Sequence, residues 1–225
     1  CLLIPPMLRP DMLQRLVNAG LVRVQTGIES GSSKESKEIH NRSPGNRAIL
    51  NFAEFNKELG LNVVYDVIVD NPYATEEMKL ETAEFLLELP RPYDIFFYSL
   101  NYFPGTALTR QALGDGLLDP DEVEGRATKP WKQFRVSMDW PRSDEDRFYL
   151  AVYCLASKAF VPKALIRKLI DEREHWKQNV EPVFYLAWAA NYAKMFQVAY
   201  RYFRMVELTW FKIRQYADLK QLISQ

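Results

Sequence analysis

Two carboxylates and one guanidinium stand where they could do chemistry. Glu29 closes a β-branched run, Asp66 sits inside another, and Arg42 follows His40 and Asn41. In Gly27-Ile28-Glu29-Ser30-Gly31-Ser32, the glutamate can accept hydrogen bonds from a pair of sugar hydroxyls, while Gly27 and Gly31 let a ligand come close to the backbone. The same stretch also reads as a helix start, with Glu29 and Ser30 as its caps. Asp66 is harder to place structurally, because an ionised carboxylate in mid-strand is costly unless paired or solvated; Arg23 is a simple partner for it. Arg42 reads either as a clamp for a carboxylate or as a solvated cation at a helix end. Metal or acid–base work by Asp66 and Asp70 is disfavoured, since neither a histidine nor a further carboxylate accompanies them at ligand spacing.

These residues need strands to present them. Val22 to Ile28, Asn62 to Val69 and Asp94 to Asn101 read as strands, each after an amphipathic helical run, which is the pattern of βα units and a parallel sheet. The preceding helices are expected at Asp11 to Asn18, stopped near Gly20; at a run capped by Ser43 with Pro44 first and Gly60 last; and at Glu76 to Leu89, ended by Pro90-Arg91-Pro92. Leu2 to Ile4 reads as the tail of a further strand. Alternation gives each strand a polar face: Arg23, Gln25, Gly27 and Glu29 on the first, Asp66, Ile68 and Asp70 on the second, Ser99 and Asn101 on the third. Sites in such sheets lie beyond the carboxyl ends of the strands. There the sequence places Gly27 to Ser32, Asp70 to Glu76, and Tyr102-Phe103-Pro104-Gly105-Thr106.

Beyond Gly116 the pattern changes. The expected fold is α/β, a partial (βα) barrel over 1–116, a connector over 117–141 and an all-α region over 142–225. Ser143 and Asp146 form a capping pair for the helix that contains Phe148 to Phe160. In the tail, Tyr185, Trp188, Tyr192, Met195, Ala199, Tyr202 and Val206 make one apolar stripe. Core packing is its simplest role. A groove for a hydrophobic or lipid-like substrate, or a membrane-surface contact flanked by Lys194, Arg201, Arg204 and Lys212, is the alternative. Cys154 reads as a small buried hydrophobe.

Composition narrows the classes. With 48% hydrophobic and 13% aromatic residues over 225 positions, the chain can bury a core and is not globally disordered. Its 29 basic and 29 acidic side chains cancel, so no net field draws it to nucleic acid or another polyanion. No apolar run is long enough to span a membrane. Two cysteines, Cys1 and Cys154, suit neither a disulfide framework nor a four-ligand zinc site, and the expected setting is cytoplasmic or peripheral to a membrane. The opening CLLIPPMLRPD lacks the marks of a signal peptide and reads as an entry into the middle of a longer chain.

Taken in order, Gly27 to Ser32, Asn41-Arg42, Tyr65-Asp66-Val67-Ile68-Val69-Asp70-Asn71-Pro72, and Phe103-Pro104-Gly105-Thr106 with Leu108 resemble the second half of a radical S-adenosylmethionine (SAM) barrel. The order and spacing look most like members with an N-terminal cobalamin-binding domain. The resemblance implies that Glu29 meets the SAM ribose, with Ser30 beside it in the cofactor site, and that Arg42 pairs with the methionyl carboxylate. It sets Ile68 against adenine and lets Asp66 reach ribose or substrate. Asp70 lies in the same fifth-strand motif, and the Tyr102 and Phe103 backbone is directed to adenine. The sequence departs from that motif, GxIxGxxE, in having Asp66, Asp70 and Tyr73 where glycine, glycine and glutamate are usual.

The family also needs a CxxxCxxC loop to hold a [4Fe-4S] cluster, whose electron cleaves SAM to a 5′-deoxyadenosyl radical. No such motif occurs here. The resemblance therefore implies the C-terminal portion of an enzyme for hydrogen abstraction or methyl transfer, its partner being the other half of the barrel. Alone, such a half would have an open edge and tend to associate. A non-catalytic α/β interaction domain derived from the same barrel is the alternative.

Overall fold

The computed structural model describes residues 9–42, 45–121, 123 and 142–193. The strand expected at Leu2 to Ile4, the Ser43-Pro44 cap, most of the connector and the tail from Lys194 onward lie outside these residues.

Helix α1 (Pro10–Asn18) begins on proline, whose missing N–H costs nothing at a helix start, and it ends before Gly20 at φ 100°. Strand β1 (Arg23–Glu29) follows, then a short helix α2 (Ser33–Glu38) that sequence periodicity did not signal. Helix α3 (Asn46–Glu58) has Gly45 at its cap position, two residues later than expected. It leads past Gly60, at φ 68°, into β2 (Asn62–Val69). Helix α4 (Glu76–Glu88) is capped by the Thr75 hydroxyl and leads to β3 (Asp94–Ser99), two residues shorter than expected. Helix α5 (Ala107–Gly114) completes the first region.

The strands form a parallel sheet in the order β1-β2-β3. Three strands make an open sheet, and the described residues do not close it into a barrel. One face carries Val24, Ile28, Val63, Tyr65 and Val67 into the main core, under α3 and α4. Val22, expected on that face, precedes β1 and is 68% exposed.

The helices after residue 142 pack into the same core. Helix α6 (Asp144–Ala156) is capped by the expected Ser143 and Asp146 pair, and it ends at Ser157 before Phe160 is reached. Phe148, Val152 and Leu155 of α6 join Ala83, Leu86 and Leu87 of α4 in one cluster. Cys154 lies within it, as the sequence suggested. Ion pairs brace the outer side, where Lys79 Nζ meets Glu145 at 2.7 Å and Asp146 at 2.6 Å.

Helices α7 (Lys163–Asp171) and α8 (Arg173–Gln178) lead to a last helical run over residues 180–193. There the expected stripe is reversed. Val180, Val183, Ala187 and Ala190 face the core, while Tyr185, Trp188 and Tyr192 are exposed. Small side chains let this helix lie close to α6, where Cys154 Sγ is 3.7 Å from the Ala187 carbonyl, and Tyr185, Trp188 and Tyr192 are left outside. Among the described residues no helix is long and apolar enough to cross a membrane.

Candidate functional site

The other face of the sheet carries the polar residues, and the strand register arranges them in layers. At the bottom, Arg23 of β1 reaches Asp94 of β3 at 3.6 Å, across the intervening Val64. Arg23 is therefore not the partner of Asp66. That role falls to Gln25, whose Nε2 donates to both Asp66 carboxylate oxygens at 2.9 and 3.0 Å. Burial raises the Asp66 carboxyl above its ordinary value, and the Gln25 hydrogen bonds act in the opposite direction.

The third strand corrects the face assigned from sequence. Phe96 pairs with Asp66 and Tyr98 with Ile68, so the open face of β3 is aromatic there. Ser99 pairs with Val69 instead, and its hydroxyl donates to Asp70 at 2.6 Å.

At the top of β1 the register shifts between Gly27 and Glu29, and Glu29 takes a left-handed backbone at φ 65°. Its carboxylate folds back over Gly27, where a Cβ would stand 2.3 Å from Glu29 Oε1. Arg42 Nη1 meets the same oxygen at 2.8 Å, with the Glu29 side chain 13% exposed and that of Arg42 51% exposed. Burial raises the Glu29 carboxyl above its usual range; Arg42 and then His40 pull it down, and Asp66 adds to the rise. The close approach at Gly27 is thus made by Glu29 itself. At Gly31 it is made by α4, since a Cβ there would meet Thr82 Cα and Phe85 Cβ at 2.7 Å.

Ser30 points away from this face. It is buried, donates to Glu35 Oε2 at 2.7 Å and lies 3.0 Å from the Thr82 hydroxyl. The cap of α2 is neither Glu29 nor Ser30 but Ser32, which accepts from the Glu35 amide. Glu35 was missed from sequence, although Ser32-Ser33-Lys34-Glu35 has capping-box spacing. Its carboxylate reaches back to Ser30 and also accepts from Asn71 Nδ2 at 2.6 Å, with His40 Nε2 at 3.6 Å. Burial pushes the Glu35 carboxyl up, but contacts with His40, Ser30 and Asn71 outweigh it and hold the group below its usual range.

The remaining residues fall around the ends of β2 and β3. Asp70, at φ 57°, accepts from Arg142 Nε at 2.7 Å and Nη2 at 2.8 Å, which ties the sheet to the start of α6. Ile68 packs against a small second cluster that contains Leu100, Tyr102 and Ala112. Phe103 is exposed, and its carbonyl accepts from the hydroxyls of Thr106 at 3.0 Å and Thr109 at 2.6 Å. Tyr73 donates to Asp115 at 2.9 Å and is pushed up to about 12, mainly by burial and then by that carboxylate. Glu29, Arg42, Asp66 and Ile68 thus lie on or beside the open face, whereas Ser30 and Asp70 serve contacts on the helix side.

Residues 1–86 match the family profile described as Radical SAM superfamily. The radical SAM match takes in Glu29, Ser30, Arg42, Asp66, Ile68 and Asp70, while Tyr102 and Phe103 lie beyond it. No curated protein matches the chain. Among solved structures, coproporphyrinogen III oxidase from Escherichia coli, described as a radical SAM enzyme, is similar at 21% identity and a TM-score of 0.43. That similarity covers 59% of this chain and 31% of the oxidase, so the chain spans under a third of that protein.

Proposed function

We propose that this chain is the SAM-holding portion of a radical SAM enzyme and that the cluster is held by polypeptide outside this sequence. The observation that carries the reading is the 2.8 Å Glu29–Arg42 pair, folded over Gly27 at the carboxyl end of β1. It offers an acceptor for ribose hydroxyls beside a half-exposed guanidinium suited to a carboxylate. The residues present therefore fit SAM. They do not fit the cluster, because the sequence lacks CxxxCxxC and, among the described residues, no group of three or more His, Cys, Asp or Glu side chains could hold a metal ion.

SAM beside a reduced cluster supplies an oxidising radical for hydrogen abstraction or, with cobalamin, supports methyl transfer. Glu29 and Arg42 hold the cofactor's two polar ends, and Ile68 with the Tyr102 and Phe103 segment borders adenine. Ser30 and Asp70 contribute by position: Ser30 fixes the loop through Glu35, and Asp70 anchors Arg142. Cobalamin enters only through motif order and spacing, and it would be carried by a separate unit.

Equilibrium dialysis of labelled SAM against the chain tests this. Replacing Glu29 by Ala is expected to weaken binding by about 1 to 3 kcal/mol, roughly 5- to 150-fold, whereas Phe160→Ser leaves it unchanged. Equal affinity of Glu29→Ala and the parent chain, or no SAM binding by the parent, overturns the reading. The commitment of Ser30 and Asp70 to internal contacts favours a second reading, an interaction domain derived from the barrel. Full activity after the chain is joined to a cluster-bearing half would sink that alternative.

A further inference from the structure

Among the described residues of the open face, Asp66 is the one whose charge its neighbours leave uncompensated. Arg23 is engaged by Asp94 and Arg42 by Glu29, and on the opposite side Arg142 is engaged by Asp70. Among the described residues no cation lies within ion-pair distance of Asp66. Gln25 fixes the carboxylate by donating one amide nitrogen to both oxygens. A carboxylate has roughly four lone-pair directions, so acceptor capacity remains on the side away from Gln25.

The wall beside it is aromatic. Phe96 is the direct cross-strand neighbour of Asp66 and is 44% exposed, and Tyr98 lies two residues further along β3. Tyr98 is close enough that Asp66 raises its phenol, after burial as the larger cause. An exposed phenyl ring at mid-strand adds nothing to the core, which takes Ile95 and Phe97 from the opposite face. A carboxylate bordered on the neighbouring strand by a phenyl and then a phenol ring attracts an organic cation by charge and by the negative ring faces together.

We propose that Asp66, Gln25, Phe96 and Tyr98 form a substrate subsite that takes an organic cation, an ammonium or amidinium group on an apolar body. The inference rests on the SAM reading, since it sets a substrate on the same open face below the Glu29–Arg42 pair. SAM is itself cationic, so the test must separate the two sources of positive charge. S-adenosylhomocysteine, a net-neutral zwitterion without the sulfonium, fills the SAM site and shows whether a cationic probe binds there or at a separate place.

Calorimetric titration with 2-phenylethylammonium and with 3-phenylpropionate, two probes of similar size and opposite charge, decides the matter. The ammonium probe is expected to bind at least about tenfold more tightly than the propionate, a preference that Asp66→Asn removes and Phe96→Leu weakens several-fold. Circular dichroism of both variants confirms the fold, and Phe160→Ser, at an exposed position away from the sheet, leaves ammonium binding unchanged. Saturating S-adenosylhomocysteine leaves it unchanged as well. Equal binding of the two probes, no binding of either, unchanged ammonium affinity in Asp66→Asn, or competition by S-adenosylhomocysteine overturns the subsite. Ammonium binding that depends on Asp66, combined with SAM binding indifferent to Glu29, would retain the subsite and discard the SAM reading.

Discussion

Glu29 closes β1 and Glu35 stands in the first turn of α2, the next element, and they have opposite surroundings. Glu35 is 4% exposed and sits among donors supplied by its own polypeptide, with His40 Nε2 at 3.6 Å, Ser30 at 2.7 Å and Asn71 at 2.6 Å. Glu29 has a left-handed backbone and one ionic partner, a guanidinium half in solvent. Burial is the largest influence on both, yet the Glu35 carboxyl ends below its ordinary value and the Glu29 carboxyl above it. The difference lies in what faces each carboxylate. Oriented hydrogen-bond donors make Glu35 a structural hub, whereas an exchangeable ion pair leaves Glu29 able to trade its partner for a ligand.

The largest effect is expected where the hub is removed. Glu35→Ala leaves the Ser30 hydroxyl and the Asn71 amide buried without their acceptor, and urea denaturation should show a loss of about 3 kcal/mol. A loss under about 1 kcal/mol would show that the two glutamates are structurally equivalent. Next come the two glycines beside them. In Gly31→Ala the new Cβ presses on Thr82 Cα, a backbone atom of α4 that cannot yield, and a loss of about 2 kcal/mol is expected. In Gly27→Ala it presses on the far end of the Glu29 side chain, which can rotate away. Stability should then fall by less than about 1 kcal/mol, while SAM binding falls with the displaced carboxylate. Equal destabilisation by the two substitutions would contradict the contrast.

Sequence made half of this contrast visible. Strand β2 lies where alternation put it, Gly20 and Gly60 end their helices with positive φ, and the Ser143 cap holds. Asp66 was recognisable because a charged group in mid-strand conflicts with burial, and Glu29 because it is an acceptor set between two glycines at a strand end. What stayed hidden depends on pairing between elements. Phe96 beside Asp66 follows from the register of two parallel strands, which neither strand's own alternation contains. Glu35 reads as an ordinary charge in a short polar helix until Ser30, His40 and Asn71 converge on it from three other segments. In residues 180–193 two stripes share the same helical spacing. Hydrophobicity favours the aromatic one, whereas the close approach of the helix selects Val183, Ala187 and Ala190.

The finest test uses acid and two isosteric substitutions. A carboxyl held below its ordinary value of 4.5, as Glu35 is, stabilises the fold fully above that value and loses its contribution as pH falls through the lower folded value. The stability gap between the parent chain and Glu35→Gln should therefore be constant near neutrality and shrink below about pH 4.5. Glu29 has the reverse sign. Its raised folded value means that ionisation carries a cost absent below pH 4.5, which enters as pH rises through that folded value and then stays. Glu29→Gln should accordingly match or slightly exceed the parent at neutral pH, by about 0.5 kcal/mol, and lose that advantage on acidification. Denaturation midpoints of the three chains between about pH 2.5 and pH 7 check both signs at once. Curves for the two variants that diverge from the parent in the same direction would mean that the Arg42 pair, like the Ser30 and Asn71 contacts, is a structural clamp; Glu29 would then have no partner to spare for a cofactor.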